Sequence, residues 1–218
     1  MRFRYNAARK NDWDSESKPR KDFFTIMYFV RYTGPFGFIK PWTAVRDSET
    51  FSQQFLTPSI VAGLERKLFP GLLSEPYGLY KIRRHRLFYT RISHQQEQIQ
   101  PRGWNKKNRC FERPGSIIVR GVLTEPVLYL GFDQEKDAVG ASGQHICLCR
   151  NEDVLFPDEA ILEMPEEEFD SKEDLFSGFE LVFEKTDQSF LVGYNRFDRN
   201  TPMYGWLKVA GNPVKHIC

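Results

Sequence analysis

Between Lys81 and Arg113 the chain carries ten lysines or arginines against two acids, with aromatic residues set among them. Arg83, Arg84, Arg86, Arg102, Lys106, Lys107, Arg109 and Arg113 are interleaved with Phe88, Tyr89, Trp104 and Phe111. Cations track a phosphate backbone and rings stack on unpaired bases, so this mixture fits single-stranded nucleic acid. From Asn151 to Asp187 the balance reverses, with fourteen acids against two lysines. The formal net charge of +2 therefore averages two opposite segments. Segregation on this scale implies a basic surface built to meet phosphate. The acidic stretch reads as a solvated face, a contact for a basic partner, or a repulsive side that keeps RNA away.

A second constellation is His145, Cys147 and Cys149, which alternate and on a strand would share one face. No second ligand cluster of zinc spacing follows, so buried strand cysteines are the better account and no metal is expected. The chain has no Gly-rich phosphate loop or nucleophile elbow, and no cofactor is expected.

The elements that must position these residues follow from periodicity and turn chemistry. Met1 to Asp22 is polar and basic, and reads as a flexible arm. Residues 23–218 read as one domain. Phe23 to Tyr32 is a buried strand, and Phe36 to Phe55 a long loop. Thr57-Pro58 opens a helix with a capping hydroxyl and a proline at the first position. Ile60, Val61, Leu64 and Leu68 give that helix one apolar face, and Pro70-Gly71 stops it. Leu79 to Ile92 reads as a second strand, and alternation puts Arg84 and Arg86 on one face and Arg83 on the other. About residues 93–115 form a projecting basic β-hairpin in this reading, a thumb. Ser116 to Phe132 is a third strand, with Gly121 or Pro126 marking a bend. The acidic zone, about 151–187, holds a short helix near Glu166 to Phe176. Phe179 to Phe183, Phe190 to Tyr194 and Tyr204 to Val209 complete a mostly antiparallel sheet. The expected class is α+β, a ferredoxin-like (RRM-like) core with a hairpin thumb. Without an apolar run of ~20 residues, a signal segment or a paired cysteine framework, a cytoplasmic protein with no membrane partner is expected.

Several of these segments resemble the Cas-five family of CRISPR-associated proteins. Thr57, Pro58, Ser59, Ala62, Gly63 and Phe69 are similar to that family's helix opening and its closing aromatic. Tyr80 to Ile92 is similar to its arginine-bearing second strand, and Arg120-Gly121-Val122 to a later strand. Tyr204-Gly205-Trp206-Leu207 is similar to a closing strand. The resemblance implies a non-catalytic subunit of a class 1 RNA-guided effector complex, active in antiviral or anti-plasmid defence. Such a subunit holds the 5′ handle of the guide RNA, touches the backbone and large subunits, and meets target DNA through the complex. One branch of the family is a metal-independent ribonuclease that cuts the CRISPR repeat and remains bound. Its catalytic tyrosine corresponds to Phe69 and its lysine to Gln144, leaving only His145 as a weak catalytic candidate. The expectation therefore leans against an enzyme, with Tyr77, Tyr80 and Lys81 near enough to substitute.

Overall fold

The computed structural model describes residues 25–41, 49–99, 103–112, 116–148, 150–195 and 200–214. The expected arm over 1–22 lies outside them, as do Arg102, Arg113 and Cys149. β1 (Ile26–Thr33) leads through α1 (Pro58–Leu68) to β4 (Ile82–Phe88), with the short strands β2 (Phe36–Gly37) and β3 (Glu49–Phe51) in between. The chain then runs out along β5 (Arg91–Ile99), turns through β6 (Asn105–Lys107) and β7 (Cys110–Glu112), and returns along β8 (Ser116–Thr124). β9 (Val127–Phe132), α2 (Glu135–Ser142), β10 (Ile146–Cys147) and β11 (Val154–Pro165) follow. α3 (Glu166–Ser171) and the strands β12 (Gly178–Val182), β13 (Phe190–Asn195) and β14 (Thr201–Ala210) close the chain.

The series β1-α1-β4-β9-α2-β11 lies in the sheet order β11-β1-β9-β4, each neighbouring pair antiparallel. That is the ferredoxin-like arrangement, so the fold is α+β with a mostly antiparallel sheet. β12, β14 and β13 extend it beyond β4.

α1 and α2 cover one face of the sheet. Val61, Leu64 and Leu68 of α1 and Ala138 and Ala141 of α2 pack with Val30, Tyr32, Leu87, Leu128 and Leu130 of the strands. Pro58 begins α1 as expected, but the Thr57 hydroxyl makes no capping bond; its carbonyl accepts from Ile60 and Val61 instead. The fully buried Glu65 carboxylate accepts the backbone amides of Tyr80, Lys81 and Ile82, tying the start of β4 to the helix. Satisfying three amides is what makes a buried carboxylate tolerable there.

The stretch Leu79 to Ile92 is two strands rather than one, and so is Ser116 to Phe132. Both break at the same level, at Tyr89-Thr90 and at Glu125-Pro126. Thr90 donates its amide to the Thr124 carbonyl at 2.9 Å and its hydroxyl to Glu125 at 2.7 Å. Beyond that seam the hairpin runs from Arg91 to Thr124, longer than the 93–115 read from sequence. Phe36 to Phe55 is not all loop: β2 pairs antiparallel and β3 parallel with β8, buttressing the hairpin root. The Phe51 ring crosses Gly121 so closely that a Cβ there would lie 2.3 Å from a ring carbon. Only glycine fits that crossing.

Candidate nucleic-acid interface

Register places the paired residues of the hairpin. Nine pairs join β5 to β8, from Arg91↔Thr124 to Ile99↔Ser116. The tip continues with Asn105↔Glu112, Lys106↔Phe111 and Lys107↔Cys110. Directly opposed residues point to the same side, so Lys106 and Phe111 share one face. Asn108 and Arg109 turn the chain with φ of 49° and 67°. A two-residue turn with both centres left-handed matches strand twist, and Asn-Gly is its preferred sequence. Asparagine fits the first position, whereas arginine occupies the one that glycine fills best. Trp104 is 58% exposed and Phe111 65%. Lys106, Lys107 and Arg109 are exposed as well. The tip thus presents exposed cations and exposed rings together.

Arg84 and Arg86 require correction. They do share a face, but it is an internal one: Arg86 is fully buried and Arg84 nearly so. The Arg84 guanidinium donates to both oxygens of Glu180, at 2.6 and 2.7 Å, and to Asp170 at 2.6 Å. Arg86 donates to Asp170 at 2.7 Å, to Glu180 at 3.2 Å, and to the carbonyls of Phe169 and Phe176. Its guanidinium lies 4.0 Å from the centroid of the Phe169 ring. Lys208 adds a third cation to Asp170, at 2.8 Å. Burial raises the Glu180 pKa, but hydrogen bonding and charge from Arg84 outweigh it and bring the value down to about 2. These arginines are unavailable to phosphate. Their counter-charges come from the acidic segment, part of which therefore packs inward instead of facing solvent or a partner. Arg83, on the opposite side of β4, is exposed and pairs with Asp133 at 2.7 Å.

The positions matching the ribonuclease branch do gather at the end of α1. Gln144 donates to the Leu68 carbonyl at 3.0 Å, and Lys67 donates to the carbonyl of His145. Lys81 lies 4.7 Å from the centroid of the Phe69 ring and pairs with Asp137. The exposed imidazole of His145 lies against Phe156, with centroids 6.2 Å apart. Tyr77 and Tyr80 donate their hydroxyls to the carbonyls of Ser59 and Pro76. Cys147 is half-buried. Among the described residues, no three His, Cys, Asp or Glu side chains are grouped to hold a metal ion.

Sequence reasoning missed one place. Where α3 leaves the second face of the sheet uncovered, a cavity of about 430 Å³ opens beside the hairpin root, lined by Arg31, Thr33, Phe88, Thr90, Glu125 and Val127 among others. The signal was Arg31, a lone cation inside the apolar strand IMYFVRYT.

No family model matches the sequence, and no curated protein matches it either. A solved chain titled a CRISPR RNA-guided surveillance complex is similar in structure, with a TM-score of 0.49 and 15% identity over 86% of this chain and 92% of that one. No described helix is long and apolar enough to cross a membrane.

Proposed function

We propose that this chain is a non-catalytic, RNA-holding subunit of a CRISPR RNA-guided effector complex. In this reading the hairpin grips the 5′ handle of the guide RNA, beside backbone and large subunits, and target DNA is met through the assembled complex. The observation that carries it is the tip, where Lys106, Lys107 and Arg109 stand exposed with Trp104 and Phe111 on a projecting hairpin. The sequence resemblance supplies the identity of the RNA. The test is Lys106→Glu, Lys107→Glu and Arg109→Glu together, with guide-RNA binding measured across a salt series. Wild-type affinity falls steeply with salt, because phosphate contacts release counterions. The triple variant keeps its fold and loses binding; normal assembly by that variant overturns the assignment.

A second reading, a repeat-cleaving ribonuclease, is favoured by the convergence of Phe69, Gln144 and His145 at one end of α1. Cleavage through a 2′-OH needs a base, an acid and a cation near the phosphate. Phenylalanine exchanges no proton and glutamine carries no charge, so His145 would act without a proton-transfer partner. Labelled repeat RNA incubated with the protein in chelator decides between them. A single specific cut, lost in His145→Ala, establishes the enzyme.

A further inference from the structure

The cavity beside the hairpin root has a floor set by strand register. Phe88, Val127 and Thr33 are direct neighbours across β4, β9 and β1, so their side chains form one row on the face opposite α1 and α2. The next row is Arg86, Tyr129 and Arg31. Phe169 and Phe176, from α3 and the segment after it, pack with Tyr129 and close the face at that level. Among the described residues the Phe88 row is left open, and its far side is walled by Thr90 and Glu125 at the seam where the hairpin leaves the sheet. Four kinds of chemistry meet there. Phe88 is a half-buried ring. Arg31 offers a guanidinium, held by Asp158 at 2.7 Å. Glu125 offers a carboxylate, one oxygen of which accepts from Thr90. Thr33 and Thr90 add hydroxyls.

We propose that this cavity takes one unstacked guanine base of a single RNA strand. An aromatic ring on an open sheet face is a stacking platform for a splayed base. A carboxylate and a guanidinium in one cavity select among bases by hydrogen-bond pattern. Guanine presents N1–H and N2–H₂ together as donors for a carboxylate, and O6 with N7 as paired acceptors for arginine. Adenine offers one donor group, and the pyrimidines lack the N7 acceptor. A volume of about 430 Å³ falls within the ~300–1,000 Å³ of small-ligand sites. The site is separate from the hairpin tip and rests on the RNA reading only for the source of the base.

The test uses the full-length protein and free guanosine 5′-monophosphate, with the adenosine, cytidine and uridine monophosphates as controls, in equilibrium dialysis. Guanosine monophosphate binds about tenfold or more tightly than the others. Phe88→Leu keeps an apolar floor and weakens all four roughly tenfold to hundredfold, the loss of one stacking contact. Glu125→Gln keeps an acceptor for Thr90 and brings guanine and adenine to near parity. Unchanged melting temperatures separate these effects from misfolding. Lys106→Glu, Lys107→Glu and Arg109→Glu together leave mononucleotide binding intact. No binding at millimolar nucleotide, equal affinity for all four, or indifference to Phe88→Leu overturns the inference. Loss of guide RNA in the hairpin variant, with no nucleotide bound by the wild type, overturns the guanine site and leaves the RNA reading standing.

Discussion

Strand β4 and the hairpin tip belong to one basic run of sequence, yet their cations have opposite fates. Arg84 and Arg86 are enclosed by Glu180, Asp170 and the Phe169 ring. Lys106, Lys107 and Arg109 form no ion pair among the described residues and face solvent. The two arginines of β4 sit on a sheet face that α3 covers and to which the neighbouring strand β12 contributes Glu180, with carboxylates 84 to 96 residues further along the chain. At the tip Lys106, Lys107 and Arg109 are all exposed, so their charge stays external. A count of basic residues registers both regions alike; only the face each occupies separates a structural cation from a ligand-seeking one.

The difference is sharpest when one cation is removed from each region. Arg86→Ala leaves Asp170 and Glu180 partly uncompensated in the interior and lowers stability by about 3–5 kcal/mol, the usual loss when a buried pair is broken. Denaturant unfolding reads this, and a loss below ~1 kcal/mol would place Arg86 with the surface cations. Lys107→Ala at the tip changes stability by less than about 0.5 kcal/mol.

Acid should dissect the interior while sparing the tip. Burial, with a smaller contribution from Arg84, lowers the His85 pKa from 6.5 to about 4, so the folded protein holds it neutral. Neither ring nitrogen makes a hydrogen bond of normal geometry among the described residues, and the ring stacks on Phe183 at 4.7 Å. The unfolded chain takes up a proton as pH falls through 6.5 and the folded protein does not. Stability therefore drops between pH 6.5 and 4, by up to about 3 kcal/mol. Glu180 has the folded value brought down to about 2, so its contribution is present above its ordinary 4.5 and is lost from there down to about 2. Melting temperatures across pH should show both windows. His85→Phe should abolish the upper window alone; if it persists, the loss arises elsewhere.

Smaller effects sharpen the tip. Trp104→Ala costs about 1–3 kcal/mol of guide-RNA affinity if the indole stacks on a base; unchanged affinity returns it to packing. Arg109→Gly relieves a left-handed residue and raises stability by up to about 1 kcal/mol, while reducing the salt slope of RNA binding by about one. A variant that is both more stable and equally tight would show that the arginine is not retained for phosphate.

The fold was legible wherever the pattern was local. β1, α1 and the three closing strands follow from apolar runs and Pro-Gly punctuation, and the bend at Pro126 follows from its missing amide. α2 escaped because it buries only Asp137, Ala138 and Ala141, which make no apolar stripe. β11 escaped because Asp158, Glu159 and Glu163, with prolines at 157 and 165, disguise a twelve-residue strand as acidic loop. The site divided the same way. The tip residues are read from their own neighbourhood, whereas the closure of Arg84 and Arg86 depends on groups more than eighty residues away.

The position of β1 in the sheet sets a demand on synthesis. Both of its neighbours, β9 and β11, are translated about a hundred residues or more after it. At about 5–20 residues per second, the nascent chain carries IMYFVRYT without either partner strand for roughly 5–20 s. An unpaired apolar strand exposed that long is a template for aggregation. Slow elongation or scarce chaperones should therefore lower the soluble yield more than the final stability of the protein would indicate.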